Sequence, residues 1–597
     1  MTAPAGRELA SQETFEEFWA DSLRVRNLIH FVFSQSGNAA AAVAVDGTAH
    51  PKLVMFDLRD GGGWERCADD FDAEIDFRKV VALACDDARK VTILVSLGVG
   101  GASSGLYRTD SNGICVERRR IAAEGDLLLT TDRHGSVSVF NASDILMERG
   151  VGSPNSAKSR PSKLLSIVST PTGSVLNLEN AESTPLACVV DGGVVRPLTY
   201  AVLLASDGVR GAFLADQAGT VEIRDLVTGE VSGTFSATSF EDQYESDVQV
   251  GVAALVKDVL ILRLERGPFS WLEAFDYTRQ HTKQVTAQNG YVGTAAVAVL
   301  ADGRVSVSYI DVAPFRESVP RQIAFDPLNS PSSIDFPVGR AKDGLEYRPT
   351  TFWVNSFHRY EVLQFGDLKQ AAKIVVILHG GPLTHWRAKY DQLVMAMVRC
   401  VPAAAVLLPN PPGSTGYGDG FAEHLVGRWG DVDVRSIVDL LEGIRNQRGS
   451  EVEISLIGSS YGGFLAARTV AAAPDLFSRA VVVNGFFDPK DVASTSDDQR
   501  MIKYLESVAL SPNVMRDERA LTELRPSSNG SPLILILIGI DDRTVAPECG
   551  YEVSRMLGLA GHSVKVDNRI GGHLLPYGQP DALKQIVEFV SQPSIAR

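Results

Sequence analysis

Ser460, the adjacent pair Asp541 and Asp542, and His573 are the residues whose types and order could do chemistry. Ser460 stands in Ile454-Ser-Leu-Ile-Gly458-Ser459-Ser460-Tyr461-Gly462-Gly463. There an apolar run ends at Gly-x-Ser-x-Gly, and a helical pattern from Phe464 to Ala473 follows at once. Strand, tight turn and helix in that order raise a serine hydroxyl above the end of a parallel sheet. Gly458 and Gly462 permit the turn, because a Cβ at either position would collide with its neighbours. The new helix directs its first amides at whatever the serine attacks. A serine hydroxyl is a weak nucleophile and needs a base held in one tautomer by a carboxylate. The order that accompanies such an elbow is serine, acid, histidine. The run Leu533–Ile538 ends at Gly539-Ile540-Asp541-Asp542-Arg543-Thr544-Val545, which offers two carboxylates. Only one can face a histidine Nδ1–H, and the residues themselves leave the choice open. The last apolar run, Val564–Asn568, ends at Arg569-Ile570-Gly571-Gly572-His573, so His573 is the expected base. His562 precedes that run and reads as a surface residue. An oxyanion hole needs the N–H that follows the nucleophile, here Tyr461, and a second one from the early loop His379-Gly380-Gly381-Pro382.

These residues need a scaffold, and from about residue 332 the sequence supplies one. Strands at Ile374–Leu378, Ala404–Leu408, Glu453–Ile457, Ala480–Val483, Leu533–Ile538 and Val564–Asn568 alternate with helical patterns. The helices fall near Tyr390–Arg399, Val434–Arg445, Phe464–Ala473, Cys549–Leu559 and Asp581–Ser591. Alternation of this kind means a parallel α/β sheet with its site at the carboxyl ends of the strands. Residues 38–320 read differently, as short strands with glycine turns. Gly47, Gly105, Gly135, Gly173, Gly219, Gly267 and Gly303 recur at a mean spacing of about 43 residues, the period of a β-propeller blade. The expectation is a seven-bladed β-propeller, with a pair of β-sandwiches as its rival. Gln12–Val32 carries an apolar stripe and reads as a helix. The expected division is a helical arm over 1–35, a propeller over 36–330 and an α/β-hydrolase domain over 331–597.

The chain has 597 residues, too many for a single core. A net charge of −16 argues against a nucleic-acid partner. No apolar run is long enough to span a bilayer, and the N-terminus shows no apolar leader, so the expected location is the cytoplasm. Cys67, Cys85, Cys115, Cys188, Cys400 and Cys549 form no C-x-x-C pair and read as reduced thiols, with no metal site.

The C-terminal part resembles the prolyl oligopeptidase family of serine peptidases, in particular its acylaminoacyl-peptidase branch. The resemblance rests on His379-Gly-Gly-Pro382, Asn410-Pro-Pro-Gly-Ser-Thr-Gly-Tyr-Gly418, Trp429-Gly-Asp431, Gly458-Ser-Ser-Tyr-Gly-Gly463, Asp541-Asp-Arg-Thr-Val545 and Gly572-His573. That family also places a propeller ahead of its hydrolase domain. The resemblance implies Asp541 as the acid, because a basic residue, Arg543, follows two positions later and would orient the substrate. It implies Gly381 and Tyr461 as oxyanion donors. It implies hydrolysis of amide bonds in short or N-acylated peptides through an acyl-enzyme on Ser460, Asp541 and His573. No metal or organic cofactor is needed, and self-association is common among such enzymes. Two positions depart from the pattern: Pro412 replaces an arginine, and Leu574 replaces a glycine after the histidine. An alternative keeps the chemistry but acts on a small ester, lactone or amide. A remote one is an inactive propeller scaffold.

Overall fold

The computed structural model describes residues 14–592 with gaps, the longest being 68–79, 142–160, 237–247, 327–346 and 510–531. Its large sheet is built from eight strands: β1 Tyr347–Val354, β2 His358–Phe365, β3 Lys373–Leu378, β4 Ala404–Pro409, β5 Glu453–Ser459, β6 Arg479–Val483, β7 Leu533–Gly539 and β8 Val564–Arg569. The spatial order is β1-β2-β4-β3-β5-β6-β7-β8. The first three in that order pair antiparallel, and the rest are parallel. Central strands are apolar on both faces because helices cover both, as parallel sheets require. Alternate side chains therefore enter two cores. Ile374, Val376, Ile454, Leu456, Ala480, Val482, Ile534 and Ile536 pack on one side with helices α3 Val432–Arg448, α4 Tyr461–Ala472 and α7 Pro547–Leu559. Val375, Ile377, Ile457, Val481, Val483, Leu535 and Leu537 face α2 Gln392–Cys400 and α8 Pro580–Ser591 on the other. The expected strands and helices of this part lie within a few residues of their observed bounds. Not anticipated, among the described residues, were the antiparallel pair β1–β2 and three α-helices: the short Asp419–Glu423, α5 Pro489–Thr495 and α6 Gln499–Val508.

Ahead of this sheet, the described residues form seven small antiparallel sheets, most of four strands. Their opening strands are Asn27–Phe33, Val80–Cys85, Leu127–Thr131, Pro161–Thr170, Val202–Ser206, Gln249–Val256 and Tyr291–Val299. Successive sheets pack on one another, and the seventh meets the first. Gly267 and Gly303 stand in turns with φ of +51° and +87°. Gly105 lies inside the strand Ser103–Thr109 rather than in a turn, and Gly173 opens the strand Gly173–Asn180. Gly47, Gly135 and Gly219 fall outside the described residues.

The expected helix over Gln12–Val32 is shorter. Helix α1 covers Phe15–Ser22, closed at its start by Thr14 and Glu17, whose side chains and amides satisfy each other. Its Phe18 is buried in the core beside α2 and α8. Asn27–Phe33 is a strand paired with Ala39–Val45, because a run of β-branched and aromatic residues suits a sheet better once a partner strand is available. The first small sheet thus begins inside the segment expected to be an arm. Among the described residues no helix is long and apolar enough to cross a membrane.

Candidate active site

β5 ends at a sharp strand-to-helix elbow at Ser460. Ser460 has φ 57° and ψ −121°, a backbone state that L-residues adopt only under compulsion. The compulsion is steric. A Cβ at Gly458 would lie 1.9 Å from the Gly462 carbonyl oxygen, and one at Gly462 would lie 2.4 Å from that of Leu378. The Ser460 N–H donates to Val483 O at 2.9 Å, and Ser460 O accepts from Phe464 N at 3.0 Å. The serine is thereby held between the end of β6 and the first turn of α4.

Three side chains from three strand ends meet here. Ser460 Oγ lies 2.9 Å from His573 Nε2, and His573 Nδ1 lies 2.7 Å from Asp542 Oδ2. A carboxylate can only accept, so Nδ1 carries the proton and Nε2 is free to accept from the serine. Asp542 is buried, and its Oδ1 also accepts from Thr544 N at 2.8 Å and Val545 N at 3.0 Å. Those bonds fix the rotamer that aims Oδ2 at the imidazole.

The expectation that Asp541 supplies this carboxylate is corrected. Asp542 N donates to Gly539 O at 3.1 Å, and this turn carries Asp542 inward while Asp541 faces outward. Asp541 is exposed. Its Oδ2 accepts from Gly571 N at 3.1 Å, and its own N–H donates to Gly571 O at 3.0 Å, so it ties the acid loop to the histidine loop. Arg543 is exposed, and among the described residues it makes no ion pair. His562 is buried at the end of α7, not on the surface. Phe486 and Phe487, which follow β6, are buried too; Phe486 stacks on Phe464 at 5.0 Å and Phe487 lies under Arg468.

The early loop lies against the serine: a Cβ at Gly380 would come within 3.9 Å of Ser460 Cβ. Gly381 has φ +118°. His379 anchors the loop, with Nε2 2.9 Å from Ser414 Oγ and Nδ1 2.7 Å from Gly380 O. Burial pushes the His379 imidazole down to about 4, so it is neutral at physiological pH. Pro412 is buried in the loop that carries Ser414, whereas Leu574 is 74% exposed beside His573.

One residue that sequence reading missed is Asn484, directly after β6. Its Oδ1 accepts from Gly539 N at 2.7 Å, and its Nδ2 donates to Gly572 O and His573 O, both at 3.1 Å. A single side chain thus pins the acid loop and the histidine loop. The available signal was an asparagine at a strand's carboxyl end, a type that tolerates its φ of +45°.

Residues 402–592 match the model of the prolyl oligopeptidase family. The chain carries a prolyl oligopeptidase family domain. Within it, α3, β5, α4 and the strands β6–β8 bring Ser460, Asp542 and His573 together. The acylamino-acid-releasing enzyme of Rattus norvegicus is 27% identical over 196 residues, 32% of this chain and 26% of that protein. The match to this curated relative therefore spans about a quarter of the relative's length. Among solved structures, a puromycin-hydrolyzing peptidase of Mycobacterium tuberculosis superposes with a TM-score of 0.67 at 14% identity, covering 98% of this chain and 96% of that one. An acylaminoacyl peptidase of Pyrococcus horikoshii gives 0.57 at 14%, covering 96% and 89%. At such identities the likeness is one of fold, and it extends beyond the prolyl oligopeptidase family domain over nearly the whole chain.

Proposed function

We propose that this chain is a serine peptidase that cleaves amide bonds of short or N-acylated peptides through an acyl-enzyme. The observation that carries the reading is the continuous line Ser460 Oγ, His573 Nε2, His573 Nδ1, Asp542 Oδ2, with its 2.9 and 2.7 Å contacts. Ser460 Oγ attacks the substrate carbonyl carbon, and its proton passes to Nε2. Asp542 stabilises the imidazolium through Nδ1–H. Negative charge develops on the former carbonyl oxygen, and the Tyr461 and Gly381 N–H groups receive it. Collapse breaks the C–N bond, and the imidazolium returns its proton to the leaving amine. Water then attacks the ester in the same way, releasing the acid and restoring Ser460. Arg543, exposed at the end of the acid loop, is assigned to the substrate's backbone carbonyls. No step in this sequence calls for a metal or organic cofactor.

We read the seven small sheets as blades of a β-propeller that admits short substrates only, and 331–597 as an α/β-hydrolase domain. Two observations support this: each sheet packs on the next with the last meeting the first, and the large sheet follows the order given above. The boundary with the N-terminal segment moves to Asn27, where the first sheet begins. A second reading keeps the triad and replaces the peptide by a small amide or ester. The large exposed Leu574 beside the histidine favours it, since an apolar side chain there narrows the approach. The deciding experiment treats wild type and Ser460→Ala with a fluorophosphonate probe, then supplies an N-acetylated dipeptide anilide. Labelling and turnover in wild type alone support the proposal. Labelling of both proteins would sink it, and labelling without turnover of any peptide would select the second reading.

A further inference from the structure

We infer that Asp433 is a positioning residue for the reaction proposed above, holding the Tyr461 phenol and through it the Tyr461 N–H that receives the oxyanion. The inference rests on that reaction. Asp433 is completely buried near the start of α3, behind Trp429-Gly430-Asp431. Its Oδ1 accepts from Val434 N at 2.8 Å, and its Oδ2 accepts from the Tyr461 hydroxyl in a very short hydrogen bond. Among the described residues it has no ion-pair partner. A buried carboxylate without a paired cation is an expensive arrangement, so packing alone is a poor account of it.

The geometry gives it a use. Tyr461 is the first residue of α4, and its N–H is one of the first-turn donors that the helix itself does not employ. The Tyr461 ring lies edge-on to Trp429 at 4.9 Å and against Phe464 at 5.7 Å. These contacts engage the ring, and the hydroxyl goes to Asp433. With its phenol held at the far end, the residue presents its backbone N–H to the site at a fixed angle. Burial raises the Asp433 carboxyl to about 6, so at neutral pH it is a charged acceptor for the phenol and in acid it becomes a weaker, neutral one. The other titratable or charged groups that bear on this pair are Tyr504, on the Tyr461 side, and Arg468 of α4, which feels the Asp433 charge.

The test uses the full chain with Asp433→Leu, Asp433→Asn and Tyr461→Phe. Asp433→Leu and Tyr461→Phe should each lower kcat on an acyl-peptide anilide about 10- to 100-fold, the scale of a misplaced reacting group, with KM nearly unchanged. Inhibition by a peptide trifluoromethyl ketone, which forms an oxyanion on Ser460, should weaken by the same factor. Asp433→Asn keeps an acceptor oxygen and should recover most of the loss at pH 7.5, while its kcat declines less than wild type between pH 7 and 5. Wild-type kcat and ketone inhibition in a folded Asp433→Leu or Tyr461→Phe protein would overturn the inference. So would a loss confined to KM. Should Asp433→Leu not fold, Tyr461→Phe alone decides. A wild-type protein that no fluorophosphonate labels refutes the underlying reaction; a labelled wild type with unaffected variants refutes only the role of Asp433.

Discussion

Two neighbouring aspartates differ in role because a single turn separates their directions. Asp542 is drawn inward by its bond to Gly539 O and by the Thr544 and Val545 amides on its own carboxylate. Asp541 stays at the surface and clamps Gly571. The substitution pair Asp542→Asn and Asp541→Asn reads this difference directly. Asp542→Asn should depress kcat about 10³- to 10⁴-fold, because the imidazole loses the group that selects its tautomer. Asp541→Asn should lower kcat by less than about 10-fold, since it loosens a loop without touching the histidine. Steady-state rates on one anilide substrate check both, and equal losses would contradict the assignment.

At the scale of elements, the site is a set of loops emerging from β3, β5, β7 and β8, each of which is free to move until something ties it down. Asn484 ties two of them. Asn484→Ala removes three hydrogen bonds and strands the Gly539 N–H, which is buried. Stability should fall by roughly 2 kcal/mol, the scale of a buried donor left unpaired. The rate should fall by about 10- to 100-fold as Asp542 and His573 lose their common support. Thermal unfolding together with kcat tests this, and an unchanged rate at lowered stability would limit Asn484 to a structural role.

Across the whole molecule, the hairpin Arg266-Gly267-Pro268 of the small sheets reaches the loops of the large one. Gly267 N donates to Gly416 O at 2.8 Å, Ala388 N donates to Pro268 O at 2.8 Å, and Arg266 pairs with Glu361 at 3.0 Å. At its centre the buried Glu265 meets His385 at 2.8 Å, Arg263 at 2.9 Å and Arg387 at 3.6 Å. His385 and Arg387 belong to the segment that continues from the loop His379-Gly380-Gly381-Pro382. Burial by itself would raise the Glu265 carboxyl, but the His385 bond and the two arginines outweigh it and hold it below the ordinary 4.5. A depressed carboxylate contributes stability above its ordinary value and loses it as the pH falls through the depressed one. Glu265→Gln should therefore lower stability by on the order of 3 kcal/mol at pH 7, and the gap to wild type should close on acidification below 4.5. Thermal midpoints of the two proteins from pH 7 to pH 3 follow it, and a constant gap would exclude the charge as the cause.

The sequence by itself determined what short-range physics controls. The Gly458-x-Ser460-x-Gly462 spacing dictates a strained turn, since a Cβ at Gly458 meets the Gly462 carbonyl within the same elbow. The alternation of apolar strands and amphipathic helices after residue 332 required a two-faced parallel sheet. His573 was legible from its place after the last strand. Only the tertiary structure decided which aspartate reaches that histidine, since the answer depends on how the loop after β7 turns against the loop after β8. The same holds for Asn484 and for the Asp433–Tyr461 bond, whose partners lie far apart in sequence and leave no periodic trace. The end of α1 followed this rule too, because Asn27–Phe33 becomes a strand only when Ala39–Val45 lies beside it. Local sterics are written residue by residue, whereas the aim of a polar side chain is set by whatever the fold brings within hydrogen-bond distance.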